Sequence, residues 1–93
     1  MNKLFCNTPA LGIIGGMGPM ASAYFQELLV RFTDAAADQQ HIPSVLLNLP
    51  QVPDRTAYIL GESDKSPAPV LLEAARTLEA RGVSAIAVAC VTS

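Results

Sequence analysis

A chain of 93 residues is one small domain or a piece of a larger one, and surface scaling lets it bury roughly 64% of what its unfolded form exposes. It is 51% hydrophobic and only 15% charged, below the usual quarter or so for soluble domains. Six Lys+Arg against eight Asp+Glu give a net charge of −2, so no basic stripe exists to hold a phosphate backbone, and nucleic-acid binding is excluded as the main task.

In chain order, Leu11-Gly12-Ile13-Ile14 is a short apolar run closed by Gly15-Gly16. It is too short for a helix and reads as a buried strand. Gly15, Gly16 and Gly18 predict a turn, and Pro19 suits the first position of a helix. Ala21, Tyr24, Phe25, Leu28, Leu29 and Phe32 then recur on one helical face, which fades near Ala35–Ala37. Met17 and Met20 read as packing residues, with only the backbone of Met17 of chemical interest. His41 sits in a polar connection and reads as surface.

Ser44 to Leu49, with Val45, Leu46 and Leu47, predicts a second buried strand. Pro50, Pro53 and Asp54 hold an extended loop before Arg55, and Asp54 is expected to order its own turn. Thr56 to Leu60 makes a short helix stopped by Gly61. Ser66-Pro67 opens another, with Ser66 as N-cap. Its apolar face is Leu71, Ala74, Ala75 and Leu78, and Gly82 ends it. Ser84 to Ala89 is the third strand, leading to Cys90-Val91-Thr92-Ser93.

Strand, helix, strand, helix, strand is the order of an α/β domain: a three-stranded parallel βαβαβ unit with right-handed crossovers. Parallel sheets carry helices on both faces, and no helix follows the third strand, so the architecture reads as incomplete. A mean hydropathy of +0.34 is high for so thin a core and predicts an exposed apolar patch suited to a partner. Cys6 and Cys90 are too few for a secreted disulfide framework, which fits a cytoplasmic setting with reduced thiols. No secretory leader is expected, because Asn7, Thr8 and Pro9 break the early apolar stretch. No apolar run reaches the roughly 20 residues that span a bilayer, so no membrane partner is expected.

In open parallel sheets ligands bind beyond the carboxyl ends of the strands. Three loops fall there: Gly15–Pro19, Asn48–Thr56 and Cys90–Ser93. The glycine loop offers backbone N–H groups at a helix N-terminus, which favours a carboxylate or phosphate. Arg55 offers a planar donor fork for a carboxylate, and Cys90 a thiol. Together they suit an anionic small molecule with a reactive centre near sulfur. A Walker A loop is excluded, since no Lys and Ser/Thr follow Gly18. Gly16, Gly18 and Ala21 match G-x-G-x-x-A, but Asn48 and Leu49 stand where a dinucleotide site places its ribose-binding acid. Without further support Cys90 reads as core, Gly15 as a tight turn, Asn48 equally as backbone satisfaction or ligand contact, and Arg55 as a functional rather than a solvated loop residue.

The stretches GIIGGMGP and NLPQVPDRTAYILG, followed by an apolar strand leading to Cys90 and Thr92, resemble the aspartate/glutamate racemase family from about Leu11 to Thr92. The resemblance implies a cofactor-independent and metal-free isomerase of two similar α/β domains, each supplying one cysteine to a cleft between them. One thiolate removes the α-proton of an acidic amino acid and the other thiol returns a proton to the opposite face. Residues 1–93 correspond to the N-terminal domain of that pair, with the second domain absent. By resemblance Cys90 is the first-domain catalytic cysteine, and Thr92 helps to hold the substrate carboxylate. Gly16 and Met17 belong to the loop whose backbone faces the substrate, Asn48 is the polar residue ending the second strand, and Arg55 engages a substrate carboxylate. Val91 departs from the family pattern Cys-Asn-Thr. Cys6 does not replace the missing thiol, because it lies at the amino end of the sheet, about 15–20 Å from the carboxyl ends.

Three expectations follow. The isolated monomer has one acid–base partner of two and is inactive as a racemase. Two copies paired as the two domains pair, with C2 symmetry, set two Cys90 thiols across a cleft. Alternatively, the chain is a non-catalytic remnant or binding module that docks on a partner chain supplying the second domain.

Overall fold

The computed structural model describes residues 3–90, and within that range the side chains of Lys3, Met17 and Cys90 are left aside. Among the described residues three strands, β1 (Leu11–Met17), β2 (Ser44–Asn48) and β3 (Ala85–Cys90), form one parallel sheet in the order β2-β1-β3. The helices are α1 (Pro19–Phe32), α2 (Arg55–Ile59) and α3 (Ala68–Ala80). None of them is long and apolar enough to cross a membrane.

The alternation of side chains along β1 assigns each helix its face. A Cβ on Gly12 would touch Leu78 and Val83, and Ile14 packs with Ala74 and Leu78, so this face belongs to α3. Val45 and Leu47 of β2, in register with Gly12 and Ile14, pack against the same cluster. On the other face, a Cβ on Gly15 would collide with Ser22 of α1. The first crossover runs from β1 outward to β2, and the second runs back across β1 to β3. Right-handed connections running in opposite directions along a sheet must lie on opposite faces, as they do here.

The largest fully buried side chains are Ile13, Leu78 and Ser22. Leu71 and Ala75 are partly buried beside Ala74 and Leu78, so the apolar face read from the α3 sequence holds. Ser66, expected as the N-cap of α3, lies one residue before it: the N-cap is Pro67, with no side-chain cap hydrogen bond, and the Ser66 Oγ accepts from the Ala68 N–H at 3.1 Å in the turn that leads into the helix.

The α1 face agrees with the spacing prediction at Ala21, Phe25, Leu28 and Leu29, which are half-buried, and differs from it at Tyr24 and Phe32. Tyr24 is 59% and Phe32 83% exposed, while Ser22 is 1% exposed. The helix is rotated so that Ser22, Phe25, Gln26 and Leu29 turn inward, all four buried or half-buried. The cause is steric: Gly15 has no side chain and β3 offers only Ala87 and Ala89 on this side. A small residue therefore sits at the closest approach, and Tyr24 and Phe32 turn outward. Met20, read as packing, is 81% exposed. The helix ends at Phe32, where Thr33 donates its hydroxyl to Leu29 O at 2.5 Å.

The first strand also differs. Its register passes from Ile14 opposite Val88 to Met17 opposite Cys90. Three steps on β1 therefore match two on β3, which is a β-bulge. Gly15 and Gly16 lie inside the strand rather than in a turn after it. Gly16 has φ +99°, which an L side chain rarely adopts. A Cβ there would also meet the backbone of Leu49 and Pro50, including Leu49 C at 2.6 Å.

Candidate functional site

The carboxyl ends of the three strands stand side by side. Gly15 pairs with Asn48 at the end of β2, and Met17 pairs with Cys90 at the end of β3. Neighbouring strands lie about 4.8 Å apart, so the Asn48 and Cys90 backbones flank the β1 end at about 10 Å from one another. The connection leaving β1 runs outward to β2 on one face of the sheet, and the connection reaching β3 crosses back on the other. The crevice between β1 and β3 is thus the topological switch point, where open α/β sheets bind ligands. The bulge falls at this crevice.

Three hydrogen bonds fix the glycine segment. Leu49 N donates to Gly15 O at 2.8 Å, tying the β2 exit to the bulge. Gly16 N donates to the buried Oγ of Ser22 at 2.5 Å. Ala21 N donates to Gly18 O at 3.1 Å, starting α1. The Gly16 N–H is thus directed inward to Ser22, whereas the glycine loop was expected to turn its N–H groups towards a ligand.

A cleft of about 370 Å³ opens at this edge, lined by Gly16, Gly18, Pro19, Asp54, Arg55 and Thr56, with Pro50 and Val52 on its apolar side. It lies at the N-terminus of α1, a fourteen-residue helix whose dipole is positive at this end. Arg55 is the first residue of α2, and its Nε is buried. Asp54 is the N-cap of that helix: its Oδ1 accepts from Thr56 N at 2.9 Å and from Ala57 N at 3.3 Å. Asp54 therefore orders its own turn, as the sequence suggests, and in doing so sets where the Arg55 side chain begins. A guanidinium beside a helix N-terminus gives the cleft the chemistry of a carboxylate site.

Of the residues singled out in the sequence, Gly16 and Arg55 line one cleft. The Met17 and Cys90 backbones are paired beside it, and Asn48 is exposed at the end of β2. Thr92, with Val91, lies outside the described residues. Cys6 is exposed in the segment before β1, at the amino end of the sheet, about 20 Å from the carboxyl edge for a strand of this length. Ser22 escaped the sequence reading. Its signal was a small hydroxyl in the first turn of the helix, three and seven residues before the inward Phe25 and Leu29.

A second cleft, of about 230 Å³, lies at the amino side of β2 between Leu29, Thr33, His41 and Ser44. It is remote from the glycine bulge and from Cys90. Among the described residues no three His, Cys, Asp or Glu side chains cluster as metal ligands.

Fold and cleft together define an open parallel α/β domain with a crevice lined by Arg55 and Asp54 at the carboxyl ends of its strands and a cysteine at the adjoining strand end. The chain belongs to the Asp/Glu/Hydantoin racemase family, which it matches over residues 14–93. It is similar to the solved aspartate racemase of Picrophilus torridus, with 42% sequence identity and a TM-score of 0.77 over 88% of this chain. The chain spans 55% of the length of that protein, so its fold is part of a racemase fold.

Proposed function

We propose that this chain is the N-terminal half of a cofactor-independent racemase of acidic amino acids, of the aspartate/glutamate type, in which Cys90 carries the α-proton. The observation that supports this most directly is the pairing of Cys90 with Met17 at the switch point, one strand from the cleft of Gly16 and Arg55. The guanidinium of Arg55 and the positive end of α1 attract the substrate carboxylates. The Cys90 thiolate takes the α-proton: the Cα–H bond breaks, an S–H bond forms, and the electron pair is delocalised into the adjacent carboxylate. A second thiol on the opposite face, supplied by the other half of the fold, delivers a proton to Cα and completes inversion. Asn48, the Met17 backbone and Thr92 contact the substrate in this reading. The setting is cytoplasmic, where both thiols stay reduced. Alone, the chain has one face of the acid–base pair and does not racemise.

The test is proton NMR of L- and D-aspartate in D₂O, with chiral analysis of the same samples. The chain is assayed alone and after mixing with the separately expressed remainder of the Picrophilus torridus enzyme. The expected result is no inversion alone and Cys90-dependent loss of the α-proton signal, with inversion, in the mixture. Equal exchange by Cys90→Ala overturns the assignment of Cys90. Inversion by the chain alone that rises with its concentration replaces the inactive monomer with a homodimer. A mixed complex that neither exchanges nor binds aspartate favours the non-catalytic docking module.

A further inference from the structure

Among the described residues Ser22 is the one polar side chain in the interior, 1% exposed in the first turn of α1. Its Oγ accepts the Gly16 N–H at 2.5 Å. Gly15 makes this approach possible, because a Cβ there would collide with the Ser22 side chain. A buried hydroxyl is costly unless it is hydrogen-bonded. This one is satisfied by a main-chain donor that the sheet itself would otherwise use.

Successive residues of a strand aim their main-chain groups at opposite neighbours. Gly15 faces β2, since its carbonyl accepts from Leu49 N at 2.8 Å, so Gly16 in an unbroken ladder would face β3. With Ile14 opposite Val88, a regular register would set Gly16 opposite Cys90 and send its N–H to the Ala89 carbonyl. Instead that N–H goes to Ser22. Gly15 and Gly16 together stand against Ala89, and Met17 takes the place opposite Cys90. One residue of strand rise is about 3.3 Å. The end of β1 and the start of α1 are displaced along β3 by that much from where regular pairing would put them.

We propose that Ser22 is a positioning residue for Cys90. Its hydroxyl replaces β3 as the acceptor of the Gly16 N–H, and so decides that the Met17 backbone, not Gly16, stands against the end of the strand that carries the thiol. The cleft lined by Gly16 and Arg55 is thereby set at its distance from Cys90. Ser22 is buried and does not line that cleft, so it acts through the bulge alone. Gly15 is its steric counterpart, the residue whose missing side chain lets the hydroxyl reach the strand. The catalytic meaning of this register rests on the racemase reading, and the register itself does not.

The test begins with NMR of the 93-residue chain. In the parent, the Gly16 amide is expected to show nuclear Overhauser contacts to the Ser22 β-protons, and the Met17 and Cys90 backbones to one another. In Ser22→Ala the Met17–Cys90 contact is expected to be lost, with Gly16 taking the place of Met17. Ala74→Gly, which loosens α3 on the other face, is expected to keep the parent pattern and so separates positioning from loss of stability. A Ser22→Ala chain that keeps Met17 opposite Cys90 overturns the proposal. So does a parent chain whose Gly16 amide contacts Ala89 rather than Ser22, a result that needs no variant to fold. The second stage mixes each chain with the separately expressed remainder of the Picrophilus torridus aspartate racemase. There Ser22→Ala is expected to lower kcat for α-proton exchange at least about tenfold with little change in KM, because misplacing reacting groups by an ångström or more costs rate steeply. Equal losses in Ser22→Ala and Ala74→Gly overturn the positioning role. A parent mixture without exchange refutes the racemase reading, and the NMR pattern then decides for or against Ser22 by itself.

Discussion

Replacing Ser22 by Ala removes one oxygen atom from the interior and tests how the site loop is held. The Ser22 Oγ accepts the Gly16 N–H, and both residues are buried, so no water takes its place. Leaving a buried donor without an acceptor costs roughly 1–3 kcal/mol. Alanine recovers about 0.5 kcal/mol through its better helix propensity. The net loss expected is therefore about 1.5 kcal/mol, which for a domain of this size lowers the melting temperature by about 6–12 °C. Urea denaturation followed by circular dichroism measures the first quantity. Amide exchange at Gly16 reports on the loop itself and should accelerate more than exchange in the strand centres at Ile13 and Ile14. A variant as stable as the parent, with Gly16 exchange unchanged, would refute the argument that Ser22 anchors the bulge.

Gly16→Ala should be harsher, because φ is +99° and the new Cβ would press on the Leu49 and Pro50 backbone; a loss above about 2 kcal/mol is expected in the same denaturation assay. Leu78→Ala empties the centre of the α3 face, where the side chain is fully buried, and should cost roughly 3–4 kcal/mol with a broadened or absent unfolding transition. Asp54→Ala removes both side-chain caps of α2 and should cost about 1 kcal/mol. In calorimetry of aspartate binding to the mixed two-part protein it should also weaken affinity, because Arg55 starts that helix; Asp54→Asn should restore most of both.

How much of this was legible in the sequence differs from element to element. The strands at Ile13, Leu46 and Ile86 announce themselves as short apolar runs between turn residues, and the α3 face follows from Leu71, Ala74, Ala75 and Leu78 at helical spacing. Asp54 as a local cap is legible because its partners are two and three residues away. Arg55 and the glycines are visible as residue types whose chemistry suits an anion. The motifs around them carry the family resemblance, and the family match over residues 14–93 agrees with it.

Other features depended on contacts between segments far apart in the chain. Periodicity identifies α1 but not its rotation, because Tyr24 and Ser22 compete for the inward position and the outcome depends on what the sheet presents. Gly15 and the alanines of β3 admit only the smaller residue. The two glycines of β1 read locally as a turn, since nothing nearby shows that Met17 pairs onward with Cys90. That pairing, the hydrogen bond from Gly16 to Ser22 and the cleft beside Arg55 all arise from the order β2-β1-β3. The sequence by itself determined the elements, their faces where one short segment decides them, and the chemistry available at the strand ends. Tertiary structure decided the register and the bulge, because each is a relation between strands that sequence periodicity describes only one at a time.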